Sequence, residues 1–368
     1  YIVNPTIDSK GNPIGGCMGF LKSLQKVMRM FQPNEVVICW DGQGGSQRRK
    51  AQNKNYKGGR SPVRFNRRMY ELSPEEQEKN KAYQFYRLVE YLNEMPVIQV
   101  MADNIEADDV IAVLSKSDHY AGQSKIIVSS DKDFFQLCDS ETTIYRPIQD
   151  TITTEASIVA EFGIHPNNFA LARAVAGDPS DNIGGVPRVG LGTMKKRFEF
   201  LKESRPVSTS ELVEHCRGVG KKLSCHNKII SNSSLIQSNY NIMQLYHPAM
   251  SPTTKNKVMY NVCEFEPEVN ITTIKAMMIK ESNGGKVTII TVGDMSVEPV
   301  MRKALAIGAD EAIRVNMNPL DSFSTAKEIS NYINQNNFDL IIAGRESIDY
   351  NGGMVPGMIS ALTNINFI

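Results

Sequence analysis

Apolar positions in the first 140 residues switch repeatedly between two periods. Residues 17–30 (CMGFLKSLQKVMRM) show helical spacing, and residues 35–40 (EVVICW) form a short β-branched run that predicts a buried strand. A helix is predicted over 75–93, a strand over 97–101, and a helix from Glu106 to Leu114. A strand over 125–129 and a helix from Asp131 through Leu137 follow. Residues 42–70 break the pattern: they are basic, contain Gly and Asn, and are poorly periodic, which predicts a mobile loop or arch. Strands alternating with helices predict a parallel α/β sheet, whose ligands sit beyond the carboxyl ends of the strands. Asp41 and Asp131 fall just past two predicted strands, and Glu106 follows a third by a few residues.

Beyond about residue 155 the pattern turns mostly helical. A helix is predicted over 167–176, then a Gly- and Asp-rich stretch over 177–198. Residues 205–232 are polar and predict loose structure, and 233–283 are mixed with a weakly helical end. After Ser282-Asn283-Gly284-Gly285 a fresh α/β pattern starts, with strands over 287–292, 311–315 and 338–343 and helices over 296–307 and 325–334. No internal repeat relates it to the first region. A length of 368 residues favours two or three domains, and these shifts divide the chain at 1–155, 156–283 and 286–368.

Composition changes this picture little. Hydrophobic content of 41% and charged content of 22% are ordinary for a globular protein. No apolar run reaches the roughly 18 residues of a membrane span, and no membrane partner is expected. No basic-then-apolar leader opens the chain, which starts at Tyr1 rather than Met. The six cysteines form no C-x-x-C pair, so neither a disulfide framework nor a zinc site is expected and a reducing cytoplasm fits. The net charge of +1 alone argues against a nucleic-acid binder, but its distribution argues for one. Arg48, Arg49, Lys50, Lys54, Lys57, Arg60, Arg64, Arg67 and Arg68 fall between Gly42 and Tyr70 with no acidic residue among them. Segregated charge of this kind builds a phosphate-binding surface.

The acidic residues are clustered too. Glu106, Asp108 and Asp109 place three carboxylates in four residues at a helix start; Asp131 and Asp133 follow a strand; Asp178 and Asp181 share one short segment. Each has a plain reading: dipole complementarity worth about 0.3–1 kcal/mol, a helix cap, or a turn. Those readings must hold repeatedly, mostly at one sheet edge. Clustered carboxylates repel and raise one another's pKa, and divalent cations remove that cost. Two such ions about 3.5–4 Å apart can activate water and stabilise a leaving oxygen in phosphodiester hydrolysis.

Taken in order, Trp40-Asp41-Gly42, Tyr56-Lys57-Gly58-Gly59-Arg60, Glu106-Ala-Asp-Asp109, Ser129-Ser-Asp-Lys-Asp133, Gly177-Asp-Pro-Ser-Asp-Asn-Ile183 and Gly185-Val-Pro-Arg-Val-Gly190 resemble the 5′-3′ exonucleases and flap endonucleases. The bacteriophage and bacterial polymerase-associated members are the most similar, and the resemblance covers roughly residues 1–283. It implies a parallel-sheet, PIN-like nuclease core followed by a helical region with a helix-turn-helix element. It implies two magnesium (or manganese) ions: one near Asp41, Glu106, Asp108 and Asp131, a second near Asp133, Asp178 and Asp181, with Asp109 shared or outside. Lys57 and Arg60 would hold the scissile phosphate. Arg48, Arg49, Lys54 and Arg64 of the arch would contact DNA, as would Gly185, Gly190, Gly192, Lys195 and Lys196 of the 183–193 element. Gly184 also lies in that element, where family members often bind potassium. The implied substrate is duplex DNA with a 5′ end or flap, RNA primers included, recognised by structure and not by sequence. For a phage-encoded protein the place of action would be the host cytoplasm.

Two departures shape the expectation. The family opens with a strand carrying an Asp, and none precedes Tyr1, so one ligand and one strand are expected to be missing. Thr291-Val-Gly-Asp294, Leu305-Ala-Ile-Gly-Ala-Asp-Glu311 and Ala343-Gly-Arg-Glu-Ser-Ile-Asp349 resemble a different family, the electron transfer flavoprotein beta subunit, over about 286–368. Its Gly344 to Gly353 segment implies AMP binding at Gly344 and Asp349, but the lack of its first strand and nucleotide loop makes a noncatalytic Rossmann-like fragment with no alpha-subunit partner the expectation. Such a junction predicts a chimeric or truncated reading frame. Three functions compete: a nuclease, a structure-selective DNA binder impaired by the missing Asp, and an AMP-binding or electron-transfer fragment.

Overall fold

The computed structural model describes residues 6–7, 11–58, 73–248, 250–264, 271–318, 320–344 and 353–367. In chain order, α1 (Gly15–Phe31) leads to β1 (Val37–Trp40), α2 (Gln47–Gln52), α3 (Pro74–Asn93), β2 (Ile98–Met101), α4 (Ala107–Ser115) and β3 (Lys125–Val128). A 3-10 helix (Lys132–Leu137), β4 (Thr142–Arg146), β5 (Thr151–Thr153), α5 (Glu155–Phe162), α6 (Pro166–Ala176) and α7 (Leu191–Arg197) follow. Then come α8 (Thr209–Gly218), α9 (Ser224–Ser231), α10 (Ser233–Met243), α11 (Pro252–Cys263) and α12 (Ile271–Asn283). The chain continues with β6 (Thr288–Val292), α13 (Glu298–Ala306), β7 (Glu311–Val315), α14 (Ser322–Gln335) and α15 (Val355–Thr363). None of the described helices is long and apolar enough to cross a membrane.

Two compact units divide the chain, and both are built from separated segments. One comprises Val37–Pro62 and Ile98–Phe265, the other Tyr1–Val36, Val63–Val97 and Glu266–Ile368.

The first unit carries the clustered carboxylates. Among its described residues, β1 pairs in parallel with β2, from Val37↔Ile98 to Trp40↔Met101. Separately, β3 pairs in parallel with β4, and β4 turns back antiparallel onto β5. The single sheet expected from the alternating pattern is thus two small sheets among the described residues. The larger core centres on α6, where Phe169 packs against Phe135 and Phe162 at ring distances of 5.3 Å. Phe198, Leu201, Leu212, Cys216 and Ile229 extend it across α7, α8 and α9. Residues 205–232 are therefore not loose. Ser208 starts α8 with a reciprocal cap on Glu211, and apolar residues at helical spacing turn inward. A second core joins Ile98, Val100, Val110 and Leu114 to Val258 and Val262 of α11.

In the second unit, α1 lies against α3. The Gln84 amide oxygen accepts from the Gly16 and Cys17 backbone N–H groups at 2.7 and 3.2 Å, a position a Cβ on Gly16 would make the Gln84 side chain give up. Arg87 of α3 pairs with Glu281 of α12 at 2.6 Å and donates to the Ile307 carbonyl at 2.6 Å. Strands β6 and β7 pair in parallel from Thr288↔Glu311 to Val292↔Val315. Residues 338–343 were expected as a further strand but form none in the structure. Phe338 and Ile341 instead pack by side chain on Ala326, Ile333 and Ile359, without backbone pairing to a strand among the described residues.

Candidate metal centre

Asp41 follows the last residue of β1, and its Oδ1 accepts the Ala107 N–H at 2.9 Å. The strand end is thereby tied to the first turn of α4, whose free N–H groups favour a carboxylate. Gly42 permits this closure: a Cβ there would lie 1.8 Å from the Ala102 carbonyl oxygen. Glu106 and Asp109 are buried at the start of α4, while Asp108 is half-buried. Asp131 follows β3 and caps the 3-10 helix by accepting the Asp133 N–H at 2.9 Å.

The third acidic pair comes from a tight turn after α6. Asp178 and Ile183 bridge antiparallel, with both N–H···O bonds at 2.8 Å. Ser180 donates from its backbone and hydroxyl to Asp178 Oδ1 at 2.9 and 2.6 Å, fixing the carboxylate. Gly177 takes φ +77, and Gly185 leaves no room for a Cβ, which would lie 2.2 Å from the Ala176 carbonyl oxygen. The result gathers Asp133, Asp178 and Asp181, each offering one oxygen within 4.8 Å of the others.

Cations hold these acids in place. The Lys57 N–H donates to the Asp181 carbonyl at 2.9 Å, pinning the basic segment to the acidic turn. Lys57 Nζ meets Glu106 Oε1 at 2.6 Å, and the Tyr56 hydroxyl donates to Glu106 Oε2 at 3.2 Å. Arg49 pairs with both Glu106 and Asp109. Arg173 of α6 pairs with Asp133 at 2.8 Å and Asp178 at 2.5 Å. Tyr56, Asp108, Asp133 and Asp181 line one cleft, with Arg49 at its base.

The electrostatics separate acids whose partners outweigh burial from acids in which burial wins. Burial opposes the charge on Glu106, but Arg49 and Lys57 outweigh it and hold the carboxyl below its usual range. Asp178 is likewise lowered: its Ser180 bonds and Arg173 outweigh burial. Burial, then repulsion from Asp131, pushes Asp108 up to about 7. Burial pushes Asp133 up to about 7 as well; Arg173 opposes this, while Asp131 and Asp178 reinforce it. Half-buried acids with raised pKa around a three-oxygen cluster fit a hard divalent cation, which takes carboxylate oxygens and removes the repulsion.

Several residues read as DNA contacts take other positions. Residues 47–52, expected as part of a mobile arch, form helix α2. Arg49 points into the protein with 7% exposure and also donates to the Ile242 carbonyl at 3.0 Å, so it presents no guanidinium to a phosphate. Arg48 and Lys54 are exposed. Lys195 donates to the Ala160 and Glu161 carbonyls at 3.2 and 2.6 Å, capping the end of α5, while Lys196 stays exposed. Gly190 and Gly192 have open space around them, whereas Gly185 serves backbone packing. Arg60, Arg64, Arg67, Arg68 and Asp349 lie outside the described residues; Gly344 lies near the Thr272 hydroxyl. The sequence motifs assign no role to Tyr56 or Arg173. Arg173 left a signal, as the one charge in the otherwise uncharged helix PNNFALARAVA.

Carboxylates behind parallel strands, braced by buried cations, define an α/β protein with a candidate divalent-cation centre. Comparison with known proteins agrees. A model of the 5′-3′ exonuclease N-terminal resolvase-like domain matches residues 1–163. A flap endonuclease Xni of Shewanella piezotolerans is 31% identical over 221 residues, covering 60% of this chain and 78% of that protein. A 5′-3′ exonuclease of Buchnera aphidicola is 31% identical over 199 residues, covering 52% of this chain. The chain belongs to the 5′-3′ exonuclease and flap endonuclease family. It spans 63% of the Buchnera relative and 23% of a thermostable DNA polymerase I of Thermus thermophilus. The T5 D15 protein co-crystallised with metal ions shares the fold, with a TM-score of 0.51 at 15% identity over 67% of this chain and 87% of that one. A model of the electron transfer flavoprotein domain matches residues 267–368. That match begins ahead of α12, a helix the sequence pattern had grouped with the preceding region.

Proposed function

We propose that this chain is a structure-selective 5′-3′ exonuclease or flap endonuclease that hydrolyses DNA phosphodiesters with two divalent ions, in replication or repair. The observation carrying this reading is the gathering of Asp133, Asp178 and Asp181 within 4.8 Å beside an Asp108 whose pKa is raised. Asp41, Glu106, Asp108 and Asp131 would hold one ion, and Asp133, Asp178 and Asp181 the other. Magnesium, when bound, supplies an activated water and charge stabilisation at the leaving oxygen. Lys57, now on Glu106, would turn to the scissile phosphate, and Arg60 would join it. Arg173 keeps Asp133 and Asp178 paired in the meantime. Arg48, Lys54 and Lys196 would track the DNA backbone, with Gly190 and Gly192 giving close approach and potassium a place among their carbonyls.

The division at residue 155 is part of this proposal, with the last segment, which the flavoprotein match extends back to 267, a noncatalytic flavoprotein-like piece that binds no AMP through Gly344. Six free thiols suit a reducing cytoplasm. The test is magnesium-dependent release of short products from a 5′-labelled flap duplex. Asp131→Ala should abolish release while leaving duplex binding intact. Duplex binding without turnover at any metal concentration would replace this reading with the impaired binder.

A further inference from the structure

A second cleft of the first unit opens between α7 and α9, with a volume of about 450 Å³. Its floor is aromatic. Phe200 and His215 lie at 4.5 Å between ring centroids, tilted by 51°. Behind them Phe198, fully buried, meets His215 at 6.1 Å and His226 at 5.7 Å. Phe198 belongs to the core and Phe200 packs against it, so the ring beneath His215 is held by the fold. His226 Nδ1 is occupied, accepting the Leu223 N–H at 3.3 Å, whereas the His215 ring is exposed. Lys196, Arg197 and Lys221 rim the cleft against a single acid, Glu199. All three cations are exposed and unpaired by any carboxylate among the described residues.

We propose that this cleft takes an unpaired nucleotide of a single-stranded nucleic acid, its base on the exposed His215 ring that Phe200 braces and its phosphates on Arg197 and Lys221. Duplex bases hide their faces in the stack and offer a protein surface mainly phosphates. An unpaired base offers its π-face, and aromatic side chains beside a cationic rim are the matching surface. The inference rests on the nuclease reading for its context and names a strand, distinct from the duplex, that the same protein would hold.

The test compares binding of a fluorescent oligothymidylate and of a blunt duplex by the full chain, with calcium in place of magnesium. His215→Ala should weaken oligothymidylate binding about tenfold, the order expected for one lost base–aromatic stack. Duplex binding should stay within about twofold, because phosphate contacts carry it. His215→Phe should restore the single-strand affinity, and Lys221→Glu should lower it. Unchanged oligothymidylate binding in both His215→Ala and Lys221→Glu would overturn the proposal. So would equal losses for duplex and single strand, or no rescue by His215→Phe. Failure of the nuclease reading would show separately, as wild-type protein that never cleaves with magnesium.

Discussion

Arg49 closes on Asp109 in a two-bonded pair, with Nη1 to Oδ2 at 2.8 Å and Nη2 to Oδ1 at 3.0 Å, both side chains buried. The same guanidinium reaches Glu106, so Arg49 bridges two acids at the start of α4, with Lys57 as the second cation on Glu106. This sorts the Glu106-Ala-Asp-Asp109 motif by role. Asp109 is tied to Arg49, while Asp108 has no ion-pair partner among the described residues and lines the cleft.

Arg49→Ala should accordingly destabilise the fold by about 3–5 kcal/mol, the cost of leaving buried carboxylates unpaired. Arg49→Lys should recover part of that, lacking the two-pronged geometry. Urea denaturation measures both. A phosphate-contacting arginine would instead leave stability unchanged and reduce the salt dependence of DNA binding.

Stability should depend on pH with an unusual sign. Asp108 and Asp133 have folded pKa values raised to about 7, above the unfolded value of 3.8. Between these values the folded state binds more protons than the unfolded state, so stability falls as pH rises through that window. Glu106 and Asp178 are lowered, so their contribution is present above their unfolded pKa and lost in stronger acid. In EDTA the melting temperature should therefore rise from about pH 8 to about pH 5.5. Saturating magnesium should stabilise most at the alkaline end. A flat profile unaffected by magnesium would contradict the assignment.

Gly185→Ala places a Cβ 2.2 Å from the Ala176 carbonyl oxygen and 2.6 Å from the Gly177 nitrogen, both backbone atoms. The acidic turn must then shift, at a cost of about 1–3 kcal/mol. Gly190→Ala meets open space and should stay within about 0.5 kcal/mol. Paired thermal melts decide between them, and equal shifts would mean that the turn does not rest on this close approach.

Lys57→Ala should lower the cleavage rate constant by about 10²–10³ and leave duplex affinity nearly unchanged, as expected for a group acting on charge developing at the phosphate. Single-turnover kinetics at saturating protein measure this. A loss confined to affinity would make Lys57 an ordinary backbone contact.

Much of this was legible in the sequence, and the gaps have physical causes. Helical spacing marked α1 and α3, and short runs with β-branched residues marked β1, β2 and β3, because these patterns are local; β1, expected to be buried, is only half-buried along its length. Strands β4 and β5 went unread: Thr142 to Arg146 gains its strand character from pairing with β3, a non-local contact. The acids of the centre were visible because carboxylates cluster in sequence as well as in space. The inward turn of Arg49 was hidden in a uniformly basic run. Only the pitch of α2 sends Arg49 inward while Arg48 and Lys50 stay exposed. Arg173 lies five residues before Asp178, and its role depends on a turn that folds the chain back.

The central claim is that these carboxylates are gathered to hold divalent ions. Calorimetric titration of metal-stripped protein with manganese at mildly alkaline pH tests it most directly. Saturable binding is predicted, unchanged in Asp109→Asn protein that remains folded, and lost or greatly weakened in the Asp133→Asn/Asp178→Asn double variant. A folded wild-type protein with no saturable manganese binding, or a double variant that binds as the wild type does, would contradict it.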